Sequence, residues 1–291
     1  MRLTVFTPSY NRCDLLARAY ESLKEQTVRD FEWLIVDDGS TDMTGKVVEG
    51  WIDEGIIPIR YHYRENGGKM RAHNTGVRLC ETELFLCLDS DDYLTGSAVE
   101  DLLKAYDDAV GTYGHDVNIG GVVAHKGSTD EKILSDTDFP NVRVSKLYDL
   151  YLNGFSGETT LMYRTDILKD HLFPEIEGEK YVPEDYIYDK IDQICVLAVL
   201  PKIITVCTIT DDGYTLSVKK LKRENVNAFY LYYEQRACIT PPGLLRLKYL
   251  GRYVIYAKRS HHPIFRGTRL RFADIFAGCL YGGFLLLFGR E

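Results

Sequence analysis

The 291-residue chain is 45% apolar and 27% charged, with 35 Lys and Arg against 43 Asp and Glu, a net charge of −8. This length supports one large core or a core with a small appendage. The absence of low-complexity tracts and fixed-period repeats excludes a disordered or solenoid chain, and an acidic body without a recognition-module motif excludes nucleic acid as the partner.

Met1-Arg2-Leu3-Thr4-Val5-Phe6 leads straight into a predicted strand, without the apolar h-region or small-residue cleavage site of a signal peptide. A helix is predicted over Cys13–Gln26, where Leu15, Leu16, Ala19, Tyr20 and Leu23 recur with helical spacing. A second strand, Phe31–Val36, ends in Asp37-Asp38-Gly39-Ser40, and Thr41 or Asp42 is placed to cap a helix through Val47, Val48, Trp51 and Ile52. Ile59–Tyr63 reads as a third strand, Lys69–Cys80 as a helix, and Leu84–Leu88 as a fourth strand ended by Asp89-Ser90-Asp91-Asp92. A helix over Ser97–Ala109 and an apolar run over Val117–Ala124 follow. Further on, Thr159–Tyr163 and Ile203–Ile209 read as strands with a helix around Tyr186–Ala198 between them. Two helices are expected on either side of the Pro241-Pro242-Gly243 break. We expect a catalytic domain over residues 1–215 and a helical extension over 216–291.

Strands alternating with helices predict an α/β fold, an open parallel sheet with helices on both faces. Ligands of such sheets sit outside the carboxyl ends of the strands. The polar clusters fall there: Thr7-Pro8-Ser9-Tyr10-Asn11 after the first strand, Asp37-Asp38 after the second and Asp89-Ser90-Asp91-Asp92 after the fourth.

Two carboxylates one residue apart, Asp89 and Asp91, converge if they stand in a turn. They then suit a hard divalent cation that shares its coordination sphere with substrate phosphates. A solvated acidic turn would carry the same pair, so the motif gains meaning only from its context. Asp37-Asp38-Gly39-Ser40-Thr41-Asp42 reads either as a capped glycine turn or as part of a site. Asn66-Gly67-Gly68-Lys69 permits close approach of backbone to phosphate but lacks P-loop spacing.

In this order and spacing the four clusters resemble the family 2 glycosyltransferases of the GT-A fold, a Rossmann-like, mainly parallel sheet, over residues 1 to about 215. The matching stretches are Thr7-Pro8-Ser9-Tyr10-Asn11-Arg12, Val36 through Asp42, Asn66-Gly67-Gly68 followed by Ala72-His73-Asn74-Thr75-Gly76, and Leu88-Asp89-Ser90-Asp91-Asp92. The family more often has Arg where His73 stands. The resemblance implies an inverting transfer of sugar from a nucleotide-diphosphate donor, of UDP type, to an acceptor hydroxyl in surface polysaccharide or glycolipid assembly. It implies that Thr7, Pro8, Tyr10, Asn11, Asp38, Gly68, Lys69, Asn74, Asp89 and Ser90 hold the donor, and that Asp91 with Asp89 holds Mn²⁺ or Mg²⁺. It also implies a base from an E-D pair, here Asp185 with Glu184 in reserve, and an acceptor side at Glu158. Without the resemblance, Glu184-Asp185 could simply complement the dipole of the helix it opens, and Glu158 could be a surface turn.

Three rival readings follow. A sugar nucleotidyltransferase needs a glycine-rich loop after the first strand, and a dinucleotide-dependent oxidoreductase needs G-x-G-x-x-G; neither is present. A nucleotide-sugar or glycan-binding module without turnover would keep the fold but has no need of the intact acids. No Q-x-x-R-W motif follows Glu184, which favours a single-addition enzyme over a processive synthase. The seven scattered cysteines read as reduced thiols, and the expected location is cytoplasmic.

From Arg246 onward nine Lys and Arg face only Asp274 and Glu291, so this stretch carries +7 and the remainder −15. Lys258, Arg259, Arg266, Arg269 and Arg271 precede the apolar run Ile275–Phe288, which is too short and glycine-interrupted for a confident span. A basic segment followed by an apolar one suits an anionic membrane surface at the inner face of the membrane, and packing on protein is the alternative. The expected acceptor is a glycan or lipid-linked glycan.

Overall fold

The computed structural model describes residues 1–208 and 218–287. It divides into two compact units, Met1–Leu172 with Ile187–Thr210, and Phe173–Tyr186 with Asp211–Glu291. The boundary expected near residue 215 lies outside the described residues, and the short segment 173–186 groups with the C-terminal helices rather than with the sheet.

The first unit runs β1 (Leu3–Ser9), α1 (Cys13–Lys24), β2 (Phe31–Asp37), α2 (Thr44–Glu54), β3 (Ile59–Tyr63), α3 (Lys69–Leu79), β4 (Leu84–Cys87), β5 (Tyr93–Leu94) and α4 (Ala98–Tyr113). It continues with β6 (Ile119–Gly127), β7 (Val144–Ser145), α5 (Leu147–Leu152), β8 (Thr159–Arg164), α6 (Thr165–Asp170), α7 (Asp185–Ile191), whose first two residues belong to the second unit, and β9 (Val196–Val206). Every residue of β1 and β2 is buried, as strands covered by helices on both faces require. The sheet order is β3-β2-β1-β4-β8-β6-β9-β5, with β7 beside β9. Pairing is parallel from β3 through β4; β8 then runs antiparallel to both β4 and β6, and β6 pairs parallel with β9. The chain leaves β1 toward β2 and β3, then returns to place β4 on its other side. The ends of β1 and β4 therefore flank a topological switch point, where open α/β sheets bind ligands.

Packing locks this arrangement. Trp33 on β2 stacks with Tyr20 and Trp51 at centroid distances of 6.1 and 5.8 Å, and its indole N–H donates to Thr7 Oγ1 at 2.9 Å. Burying such rings contributes several kcal/mol in all, and the polar tip finds a partner in the adjacent strand.

The helix expected over Tyr186–Ala198 is not one element: α7 stops at Ile191, and Val196 to Ala198 open β9. Val196, Val199, Ile203 and Ile204 suit a strand, and β9 finds its ladder partner in β6, 76 to 79 residues earlier. The helical spacing lost to that non-local pairing. Ile209, expected at the end of this strand, lies outside the described residues.

The second unit holds the 173–186 segment, α8 (Val218–Glu224), α9 (Val226–Ile239), α10 (Leu244–Arg259) and α11 (Phe272–Leu287). The segment is tied to α9 from both sides. Glu179 accepts from the N–H groups of Asn227 and Ala228 and from the Asn227 amide, each at 2.8 Å. Asn225 Oδ1 accepts from Lys180 and Tyr181 N–H at 3.0 Å. A carboxylate at a helix start satisfies orphan N–H groups and complements the dipole.

Candidate active site

The first unit gathers its site from the strand ends. Asn11 has a left-handed φ of 52°, which Asn tolerates better than most residues. In this conformation its Oδ1 accepts from Thr41 and Asp42 N–H at 2.8 and 3.3 Å, while its own N–H donates to Ser40 Oγ at 2.8 Å. Asp42 accepts from Thr44 N–H at 3.0 Å just ahead of α2, whose N-cap position falls on Met43 rather than on Thr41 or Asp42. Asp37 receives Ser40 N–H at 2.7 Å and the Tyr61 hydroxyl at 2.6 Å. The loop after β2 is thus shaped by side chains that the sequence offered as donor ligands or plain caps.

Asp38 is buried, and its carboxylate accepts from Gly67 N–H at 3.0 and 3.1 Å and from Gly68 N–H at 2.6 Å. Asn66 Nδ2 donates to the Asp38 carbonyl at 2.8 Å, and Arg64 lies 3.5 Å from the carboxylate. Gly39 has φ +88°, and a Cβ there would stand 2.8 Å from Asn66 N; only glycine permits the two loops to meet. Asp38 therefore pins the Asn66-Gly67-Gly68 loop, which starts α3 and delivers Lys69.

Lys69 Nζ lies 2.7 Å from Asp89 Oδ1. On the other side Lys126, from β6, stands 3.8 Å from Asp89 Oδ2, 3.2 Å from Asp92 Oδ2 and 3.9 Å from Glu158 Oε2. Burial opposes ionisation of Asp89, but the two lysines outweigh it and hold its pKa down to about 2. Burial pushes Asp92 up, against the pull of Lys126. Asp92 also accepts from Thr208 N–H at 3.3 Å. Asp91 is half-buried in the same turn, Ser90 is buried and Glu158 exposed. Tyr10 is half exposed, whereas Thr7, Pro8 and Asn74 are buried. His73 packs edge-on against Phe6 and Phe85 at 5.7 and 5.4 Å.

Carboxylate oxygens at a strand end suit Mn²⁺ or Mg²⁺. Among the described residues no group of three His, Cys, Asp or Glu could hold an ion alone.

Glu184 and Asp185 belong to the second unit. Asp185 Oδ2 lies 2.7 Å from Arg236 of α9 and 3.4 Å from the Tyr232 hydroxyl. Its surroundings disfavour charge, by burial first and by Glu184, and Arg236 only partly compensates, so its pKa lies above the ordinary carboxylate value. Half the side chain remains open to solvent, which moderates that shift. The pair lines a cavity of about 410 Å³ with Tyr181, Tyr232, Tyr249 and Arg252.

Sequence reasoning passed over Lys126 and Arg236. The available signal was a cation inside an otherwise apolar strand or helix, where an unpaired Lys or Arg is seldom buried.

A mixed sheet whose β3-β2-β1-β4 part is parallel, with its switch point between β1 and β4 and an acidic turn at that crevice, matches the GT-A class of fold. Residues 4–172 match the family described as Glycosyl transferase family 2, and the chain belongs to it. It is similar to the teichoic acid poly(glycerol phosphate) polymerase of Staphylococcus epidermidis, 28% identical over 176 residues, 58% of this chain and 23% of that one. It is also similar to the poly(ribitol-phosphate) beta-N-acetylglucosaminyltransferase TarS of Staphylococcus aureus, 24% identical over 233 residues, 79% of this chain and 38% of TarS. The chain thus spans well under two thirds of either relative. The structure of S. aureus TarS 1-349 with UDP-GlcNAc superposes with a TM-score of 0.62 at 19% identity, covering 96% of this chain and 79% of that one. The mannosyltransferase PcManGT of Pyrobaculum calidifontis, in complex with GDP-Man and Mn²⁺, gives 0.56 at 18% identity, covering 98% and 80%.

Proposed function

We propose that the protein is an inverting, metal-assisted glycosyltransferase that moves a sugar from a UDP-type donor to a hydroxyl of a cell-surface glycan or lipid-linked acceptor. The observation that carries this reading is the Lys69–Asp89 contact of 2.7 Å, which joins the glycine loop and the acidic turn at the switch point. A diphosphate placed there meets the start of α3, two ammonium groups and the aspartates. Tyr10, half exposed beside β1, offers a face to the base, with Thr7 and Pro8 backbone at its edge. Asp38 acts through the Gly67-Gly68 loop that it shapes.

Asp91, with Asp89, would hold Mn²⁺ or Mg²⁺. When bound, that cation would stabilise the charge growing on the leaving diphosphate. Asp185 takes the proton of the acceptor hydroxyl as its oxygen bonds to the anomeric carbon from the face opposite the nucleotide; the bond from that carbon to the diphosphate breaks, and the configuration inverts. Its raised pKa favours proton acceptance, and Glu184 is the second carboxylate. Glu158 serves the acceptor side. The names of TarS and the polymerase favour a phosphate-containing cell-wall polymer as the acceptor. The basic tail holds the enzyme at the cytoplasmic face of the membrane.

Incubation with UDP-, GDP- and dTDP-sugars and Mn²⁺, followed by nucleotide release, tests the reading. Release of UDP supports it; binding of UDP-sugars without release under any acceptor condition would leave a binding module instead.

A further inference from the structure

The last helix presents two unlike faces. Ile275, Gly278, Gly282 and Leu285 of α11 are buried, and they meet α10. A Cβ added at Gly278 would stand 2.8 Å from Leu250 O, and one at Gly282 would stand 3.0 Å from Gly251 O. Arg246 reaches Asp274 at 3.1 Å. Contacts advance together along both helices, from 246 with 274, to 250 with 278, to 251 with 282, so α10 and α11 run parallel. Glycine brings the backbones close, and α11 cannot roll to hide its other side.

That other side is apolar from end to end. Phe272 is 72% exposed, Phe276 56%, Leu280 66% and Leu287 83%. Their four- and seven-residue intervals trace one stripe, about 24 Å long at 1.5 Å per residue. After Asp274 the helix holds no charged residue, and Asp274 itself is engaged by Arg246 and Arg271. Phe265, half exposed, stacks on Phe272 at 5.2 Å and extends the stripe. Soluble surfaces seldom leave so continuous an apolar face uncovered. No helix among the described residues is long and apolar enough to cross a membrane.

The cations mark what covers it. Arg266, Arg269 and Arg271 are exposed at the N-terminal end of α11. The parallel register carries the exposed Lys258 and Arg259, at the end of α10, toward its C-terminal end. An apolar face with cations at both ends matches an anionic bilayer, with acyl chains beneath and phosphates at the rim. A second copy of the chain would instead bring these cations together.

We propose that α11 lies in the plane of an anionic membrane, inserting Phe265, Phe272, Phe276, Leu280 and Leu287 between lipids while Arg266, Arg269, Lys258 and Arg259 hold the headgroups. This rests on the membrane location stated above for the tail and supplies its geometry; it does not depend on the transfer chemistry.

The test is flotation of the whole chain with phosphatidylcholine vesicles, with and without phosphatidylglycerol, at low and high salt. The expected result is flotation with the anionic vesicles, weakened by salt. Phe276→Glu with Leu280→Glu should abolish it, and Arg266→Gln with Arg269→Gln should weaken it about 25-fold, near fivefold for each cation. All four positions are exposed, so unchanged thermal unfolding and unchanged UDP release from donor in solution separate lost docking from lost folding. A wild-type chain that stays in the soluble fraction at low salt overturns the proposal. So does a dimer, seen by light scattering, that Phe276→Glu dissociates, because the face would then be an interface between copies. Flotation without any UDP release would leave docking standing and remove the transferase reading alone.

Discussion

The ammonium of Lys69 sits 2.7 Å from the carboxylate of Asp89, so one residue expected to hold phosphate is held by one expected near the metal. With Lys126 on the far side, Asp89 already stands between two cations before any ligand arrives. Mn²⁺ alone must then displace ammonium groups, whereas a diphosphate offers them a better partner and frees the carboxylates. Mn²⁺ should therefore bind at least tenfold more tightly in the presence of UDP, a coupling of about 1.4 kcal/mol or more. Lys69→Met should lower UDP affinity and raise that of Mn²⁺ alone. Paramagnetic resonance of free Mn²⁺ measures both, and equal Mn²⁺ affinity with and without UDP would refute the coupling.

Chelation should abolish transfer, and Mn²⁺ or Mg²⁺ should restore it. Asp91→Asn should resist rescue, because a charged ligand to a phosphate-bound cation has been removed. Transfer by the wild type that persists in EDTA would contradict the metal assignment.

Asp185→Asn retains shape but removes basicity, so donor affinity should persist while transfer falls by roughly 10²–10⁴-fold. If Glu184→Gln is the crippled variant instead, the two roles exchange. The base works deprotonated, and its pKa lies above the ordinary carboxylate value. The acid limb of kcat/KM should therefore fall above the pH at which an ordinary carboxylate titrates. Arg236→Met removes the opposing cation and should move that limb further up.

Lys126→Met leaves Asp89 and Asp92 facing each other without their shared cation. Breaking a buried pair from one side costs roughly 3–5 kcal/mol, to be discounted here because Asp89 is partly open. Thermal unfolding should show the loss at neutral pH, and acidification that protonates Asp92 should shrink it.

Gly278→Ala should strain the contact between α10 and α11, since its Cβ would fall 2.8 Å from a backbone oxygen. Overpacking of this kind costs about 1–3 kcal/mol. Gly283, with nothing within 4 Å, should accept Ala without loss, which makes it the matched control in the same melting experiment.

Much of the site was legible because its signals are local. Apolar runs that stop at Asp37-Asp38 and Asp89-Ser90-Asp91 announce strands, turns and a crevice within a few residues of one another, and β3 begins and ends where its pattern predicts. The turn ahead of α2 was likewise in plain view, although Met43 takes the N-cap position and Asp42 only accepts from Thr44 N–H.

Local pattern and composition by themselves determined the strand–helix alternation, the polar clusters at the strand ends and the sign split of the tail. Burial and turn chemistry act over a few residues and leave a periodic trace. Only the tertiary structure decided that Lys126 faces Asp92, that Asp38 spends its carboxylate on the Gly67-Gly68 loop, and that Arg236 answers Asp185. These pairs lie 29 to 51 residues apart, and sheet order and helix packing choose them. The same holds for β9, taken from a helical pattern by its ladder with β6, and for the tail glycines, which read as interruptions of a span and serve instead to seat α11 on α10.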